Sequence, residues 1–213
     1  MVVISGATGY LGRPLAESLV ERGTPVRAIV RAGSAVKLPR GVEAVTADPL
    51  DGGTFAAFIP RDATFVHLAG TPRPAPWKGL EFRAVDLPAA LASIDAARAA
   101  GAGHFVYVSV AHPAPIMRAY VEVRRTCEQA LVSSGVRHTI LRPWYVLGPG
   151  HWWPYALAPF YGLAERVPTW RESARRLGLV THRQMVEALL RAVDARPERG
   201  RIVGVAEIRA GGR

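Results

Sequence analysis

Apolar and polar positions along this chain alternate between two textures. Short runs rich in Val, Ile and Phe are separated by longer stretches in which apolar residues recur every three or four positions. The first texture predicts strands and the second predicts helices with one buried face. Strands are expected at Met1–Ser5, Pro25–Val30, Val42–Thr46, Ala63–Leu68, Gly103–Ser109 and Arg137–Arg142. Helices are expected at Tyr10–Arg22, Asp51–Phe58, Leu80–Ala100 and Pro115–Ser134. The runs VVI, FVHLA and FVYVSV are apolar almost throughout, as strands covered on both faces are. Strand alternating with helix predicts an α/β fold of the Rossmann type, a doubly wound parallel sheet.

After Arg142 the texture changes. Residues 143–170 hold eight aromatics, four of them Trp, and five Pro. Thr181–Asp194 is periodic again and predicts a helix, and Arg201–Val205 predicts a last strand. The stretch 143–180 therefore reads as a substrate-side loop and helix elaboration within one domain spanning 1–213, a length that suits one core.

Composition changes the picture little. The formal net charge is +10, but only Lys37 and Lys78 of the 27 basic residues are lysines, and the arginines are scattered. No block of basic residues and no nucleic-acid motif appears, so nucleic acid is not expected as a partner. No apolar run nears the ~20 residues of a membrane span, and MVVI is too short for a signal segment, so no membrane partner and a cytoplasmic location are expected. Cys127 is the single cysteine, which rules out an intrachain disulfide. The six histidines show no metal-ligand spacing, and no metal is expected.

The stretch SGATGYLGR at 5–13 carries the chemistry. Gly6, Gly9 and Gly12 follow a strand and open a helix. The first permits a tight turn, the second lets backbone approach a pyrophosphate, and the third lets helix pack close on strand. Thr8, Tyr10 and Leu11 lie between the glycines, and Arg13 follows them. The spacing is GxxGxxG rather than the commoner GxGxxG.

GATGYLG resembles the nucleotide loop of the extended and atypical short-chain dehydrogenase/reductases. FVHLAG at 65–70, FVYVSV at 105–110 and TILRPWYVLGPG at 139–150 resemble further segments of that superfamily, in the same order. The likeness covers about residues 1–150 and weakens over 151–180. It implies a dinucleotide cofactor held by the glycine loop. It also implies contacts to adenine from Asp48 and Pro49, to ribose and pyrophosphate from Leu68, Ala69 and Gly70, and to nicotinamide from Pro143, Trp144 and Tyr145. Asp48 reads equally well as a turn residue.

Relatives that prefer NAD end the second strand with an acid. This chain ends it with AIVRAGS, so Arg31 stands there, with Arg13 and Lys37 close in sequence. Arginine pairs with a 2′-phosphate, and NADP(H) is expected over NAD(H). The superfamily's catalytic Ser, Tyr and Lys fall on Ser109, Tyr120 and, in place of lysine, Arg124. Arginine keeps the charge that favours tyrosinate but yields no proton. Two readings stay open: an oxidoreductase acting on a small organic carbonyl or alcohol, and a non-catalytic dinucleotide-binding regulator or assembly protein. Trp77, His112–Arg118 and 144–176 are expected to wall the substrate. The resemblance also implies a homodimer through the 80–100 and 115–134 helices.

Overall fold

The computed structural model describes residues 1–114, 116–148 and 177–211. Seven parallel strands form one sheet. They are β1 (Val2–Ser5), β2 (Val26–Val30), β3 (Val42–Thr46), β4 (Thr64–His67), β5 (His104–Val108), β6 (His138–Arg142) and, last in the chain, Arg201–Gly204. In space the order is β3-β2-β1-β4-β5-β6, with Arg201–Gly204 outermost beside β6. The order reverses between β1 and β4, and a doubly wound sheet opens its ligand crevice at such a switch point. The six strands expected before Arg142 are all present, each trimmed by a residue or less at either end.

Helices cover both faces. On one lie α1 (Gly12–Glu21) and the late helix His182–Asp194, whose Leu15, Leu19, Met185 and Leu189 are wholly buried against Ile4, Val66 and Leu141. On the other lie the segment 79–99 and the helix Arg118–Ser133. These enclose Phe55, Phe65, Phe105, Tyr107 and Leu131. Both sides of the sheet being dry explains why its strands show no polar alternation.

Three local expectations change. Asp51–Phe58 is two single 3₁₀ turns, Gly52–Thr54 and Ala56–Phe58, not an α-helix. The paired glycines weaken helix propagation there, and Asp51 turns its carboxylate onto the Gly53 N–H at 2.9 Å. The segment expected as one helix from Leu80 is instead α2 (Gly79–Glu81), a π-helical turn (Phe82–Asp86) and α3 (Leu87–Ala99). Within the stretch expected as loop and helix, Tyr145–Leu147 (β7) pairs in parallel with Leu179–Thr181 (β8) as a small second sheet. Residues 149–176 of that stretch lie outside the described residues.

The remaining labels follow chain order: α4 is Arg118–Ser133, α5 is His182–Asp194, β9 is Arg201–Gly204 and α6 is Val205–Ala210. Helix α5 begins with a capping box. The Thr181 hydroxyl accepts from the Gln184 N–H at 3.2 Å, and Gln184 Oε1 accepts from the Thr181 N–H at 2.9 Å.

Candidate functional site

All seven strands run the same way, so the loops after β1, β2, β4, β5 and β6 emerge along one edge. That edge collects the glycine loop, Arg31, Leu68–Gly70, Ser109 and Pro143. Gly6 has φ +81°, and a Cβ there would stand 2.6 Å from the Leu68 carbonyl carbon and 2.7 Å from the Ala69 nitrogen. Only glycine combines that backbone with that approach. A Cβ on Gly12 would strike the Gly6 carbonyl. The loop closes with Gly9 N–H donating to Gly6 O at 3.0 Å.

Helix α1 then starts with no side-chain cap and no acid in its first turn. Arg13 N–H donates to Gly9 O at 3.0 Å and Leu15 N–H to Leu11 O at 3.2 Å, so what the helix start offers the loop is the positive end of its dipole, which favours an anion. The chain therefore fits a dinucleotide pyrophosphate here. Sequence reasoning missed His182, the first residue of α5. Its ring packs edge-on to Tyr10 with centroids 4.4 Å apart, and its Nε2 donates to the Tyr10 carbonyl at 2.8 Å. The far helix thus braces the glycine loop. No local signal marks this, because the two residues stand 172 positions apart.

Arg31 is exposed at the end of β2 and, among the described residues, has no carboxylate partner. Arg13 is already engaged by Glu17 at 3.0 Å, and Lys37 is exposed in a 3₁₀ turn. Asp48 is a turn residue: its carboxylate accepts from the Leu50 N–H at 2.9 Å, while Thr54 Oγ1 donates to its carbonyl at 3.1 Å.

Arg124 is not held as a solvated lysine substitute. It is buried, and its fork grips three partners. One terminal nitrogen donates to Asp86 Oδ1 at 2.8 Å, and the other donates to the Tyr107 hydroxyl at 3.1 Å and the Val108 carbonyl at 3.3 Å. Asp86 is wholly buried on the π-helical turn and also accepts from the Thr71 N–H at 2.9 Å. Burial works against the Arg124 charge, but Tyr107, Tyr120 and Asp86 outweigh it and keep the guanidinium charged. Burial pushes the Tyr107 phenol well up, so it stays neutral. The Tyr120 ring, one helical turn before Arg124, lies over the guanidinium at 4.9 Å from its centroid and against Phe82 at 4.9 Å between rings. Gly70 is glycine for the same reason: a Cβ there would stand 2.7 Å from Asp86 Oδ1.

Ser109 sits among a second charged group. Glu128, the surface partner that i,i+4 spacing offers to Arg124, is instead buried and paired with Arg142. Arg142 Nε donates to Glu128 Oε1 at 2.9 Å, and His112 Nε2 lies 3.4 Å from Oε2. Burial alone would raise the Glu128 pKa, but bonds from Arg142 and Ser109 and the charges of Arg142 and His112 bring it below the usual range. Ser109 Oγ is buried with no hydrogen-bond partner of good geometry, although it lies near enough to Glu128 to help hold that carboxylate charged. It does not bind backbone, as a plain strand-end serine would. Thr71 Oγ1 is likewise buried and unpaired. Both hydroxyls thus lie buried at this edge without a protein partner of good geometry. Pro143 is buried and its carbonyl accepts from the Ala111 N–H at 2.8 Å, which ties the loop after β6 to the loop after β5. Trp144 is half-buried against the α1–α5 core.

Residues 6–149 match the family model described as NAD(P)H-binding. The chain is 33% identical over 152 residues to the ceramide reductase of Caulobacter vibrioides, covering 70% of this chain and 47% of that protein. It is 34% identical over 125 residues to the chloroplastic divinyl chlorophyllide a 8-vinyl-reductase of Oryza sativa subsp. indica, covering 51% of this chain and 29% of that protein. The chain thus spans less than half the length of either relative. Among solved structures, the Bordetella bronchiseptica enzyme WbmH in complex with NAD+ superimposes with a TM-score of 0.69 at 21% identity, covering 97% of this chain and 77% of that one. A UDP-glucose 4-epimerase superimposes with a TM-score of 0.71 at 16% identity, covering 97% and 79%. These likenesses show the fold. The family-model match over residues 6–149 makes the chain a member of the NAD(P)H-binding family.

Proposed function

We propose that the chain is an NADP(H)-dependent oxidoreductase that acts on a small organic carbonyl or alcohol. The observation that carries this reading is Tyr120 stacked on a buried, charged Arg124, at the sheet edge that holds the phosphate loop. The guanidinium against its ring holds Tyr120 in place, and the Tyr120 hydroxyl exchanges a proton with a substrate oxygen. The bound dinucleotide supplies or takes up the hydride. Ser109 Oγ, buried beside Glu128, turns to donate to the same substrate oxygen. Gly6, Thr8, Gly9, Tyr10, Leu11 and Gly12 seat the pyrophosphate, and Arg31 pairs with the 2′-phosphate of NADP(H). Asp48 and Pro49 flank the adenine, Leu68–Gly70 the ribose, and Pro143, Trp144 and Tyr145 the nicotinamide. Two relatives carrying the name reductase support the same reaction class.

One observation favours a second reading, a dinucleotide-binding regulator without turnover. Arg124 spends its fork on Asp86, Tyr107 and Val108 rather than presenting it to a ribose. NADPH oxidation measured against a panel of aldehydes, ketones and quinones separates the two. Turnover that falls at least tenfold in Tyr120→Phe supports the enzyme. NADPH binding with no turnover on any member of the panel supports the regulator.

A further inference from the structure

We propose that Trp77, Leu80 and Ile116 form a lip that seats this protein on the surface of an anionic lipid bilayer. These side chains are 83%, 85% and 58% exposed, and it is their grouping, not the exposure of any one, that marks an interaction surface. They share one neighbourhood. A Cβ on Gly79 would touch the Ala119 Cβ at 3.4 Å, Phe82 meets Tyr120, and Arg83 pairs with Glu122 at 2.9 Å. The segment from Gly79 therefore runs beside the start of α4. Trp77 and Leu80 lie at the beginning of one side of that seam, and Ile116 lies just before the other.

The charge around the lip selects the occupant. Lys78 neutralises Glu81 at 3.5 Å, and Arg83 neutralises Glu122. Arg73 and Arg118 are exposed and, among the described residues, have no carboxylate partner. The patch is thus apolar at its crest and cationic at its flanks, on a chain of formal net charge +10. Protruding Trp and aliphatic side chains flanked by the uncompensated Arg73 and Arg118 suit the interface of a bilayer, where rings and methyls enter the headgroup layer and cations meet phosphate. A second copy of the chain would bring the same uncompensated arginines to a self-facing patch, which opposes that occupant. The inference departs from the expectations of no membrane partner and of Trp77 and His112–Arg118 as a substrate wall, and it invokes no cofactor.

The test is co-sedimentation of the full chain with vesicles of phosphatidylcholine alone or mixed with phosphatidylglycerol, at about 150 mM salt, where exposed charges are screened beyond about 8 Å. Wild-type chain is expected in the pellet with phosphatidylglycerol vesicles and at least about tenfold less with phosphatidylcholine. Trp77→Ser/Leu80→Ser/Ile116→Ser lowers partitioning at least about tenfold, and Arg73→Glu/Arg118→Glu does the same while flattening the salt dependence. Thermal unfolding of both variants checks that each is folded, and the charge pair, which leaves the apolar crest intact, keeps the test decisive if the triple variant unfolds. Wild type that stays in the supernatant with anionic vesicles overturns the proposal. So does a folded triple variant that sediments like wild type, or a wild-type dimer on size exclusion that the triple variant converts to monomer without vesicle binding. NADPH titration of the wild type is read separately, so failure of one reading is told from failure of the other.

Discussion

Arg124 donates to the wholly buried carboxylate of Asp86 at 2.8 Å, and this contact decides what an arginine is doing at the position where the family resemblance implies a lysine. The guanidinium fork reaches Asp86 and the Tyr107 hydroxyl at once, and a point-charge ammonium cannot. Asp86 and Arg124 thus act as one unit: an acid buried on the π-helical turn requires a cation that can also satisfy Tyr107.

Stability follows from that pairing. Removing one partner leaves a buried charge uncompensated, so Asp86→Leu or Arg124→Met alone is expected to cost about 3–5 kcal/mol. The double variant is expected to cost far less than the sum, because no charge is stranded. Arg124→Lys is expected to cost about 1–3 kcal/mol through the unpaired Tyr107 and Asp86 groups. Urea denaturation of the wild type and the four variants reads these values. Additive costs, or a lysine variant as stable as wild type, would contradict the account.

The glycine loop yields a binding prediction. Gly12→Ala places a methyl against the Gly6 carbonyl and forces the turn open. NADPH affinity is expected to fall at least tenfold, about 1.4 kcal/mol, while the far-UV circular dichroism stays that of the wild type. Calorimetric titration measures it, and unchanged affinity would remove the loop from the cofactor site.

His67 makes the fold sensitive to acid. It is buried between Ser5 Oγ at 2.9 Å and Ser93 Oγ at 3.0 Å. Burial, with the nearby Arg124 charge, lowers its pKa from 6.5 to about 3. The unfolded chain takes up a proton near pH 6.5 that the folded chain refuses until about pH 3. Its contribution is therefore fully present above pH 6.5 and is lost as pH falls toward 3. Between pH 7 and pH 5 the expected loss is about 2 kcal/mol. His104, lowered to about 4 chiefly by burial, acts in the same direction. Urea denaturation at the two pH values checks this, and His67→Asn is expected to show a shallower dependence. An equal dependence in both chains would refute the assignment to His67.

The sequence was most legible where a local rule governs. Gly6, Gly9 and Gly12 stand between a strand and a helix, and both elements form as their patterns require. The continuous apolar runs become buried strands because helices cover both faces. Legibility ended where partners are distant in the chain. Asp86 and Arg124 stand 38 positions apart, and Asp86 lies in a stretch whose periodicity reads as ordinary helix. Glu128 looked like a surface partner of Arg124, but Arg142 claims it once β6 lies beside α4. The β7–β8 pairing joins three-residue strands too short to leave a pattern. His182 meets Tyr10 only because α5 packs beside α1.

The most direct test of the central claim is calorimetric titration of the cofactor-free chain with NADPH and, separately, with NADH, repeated in Arg31→Asp. The account predicts micromolar or tighter NADPH binding, NADH at least tenfold weaker, about 1.4 kcal/mol, and loss or reversal of that preference in the variant. Equal affinity for the two in the wild type would contradict the role given to Arg31, and binding of neither would contradict the cofactor reading itself.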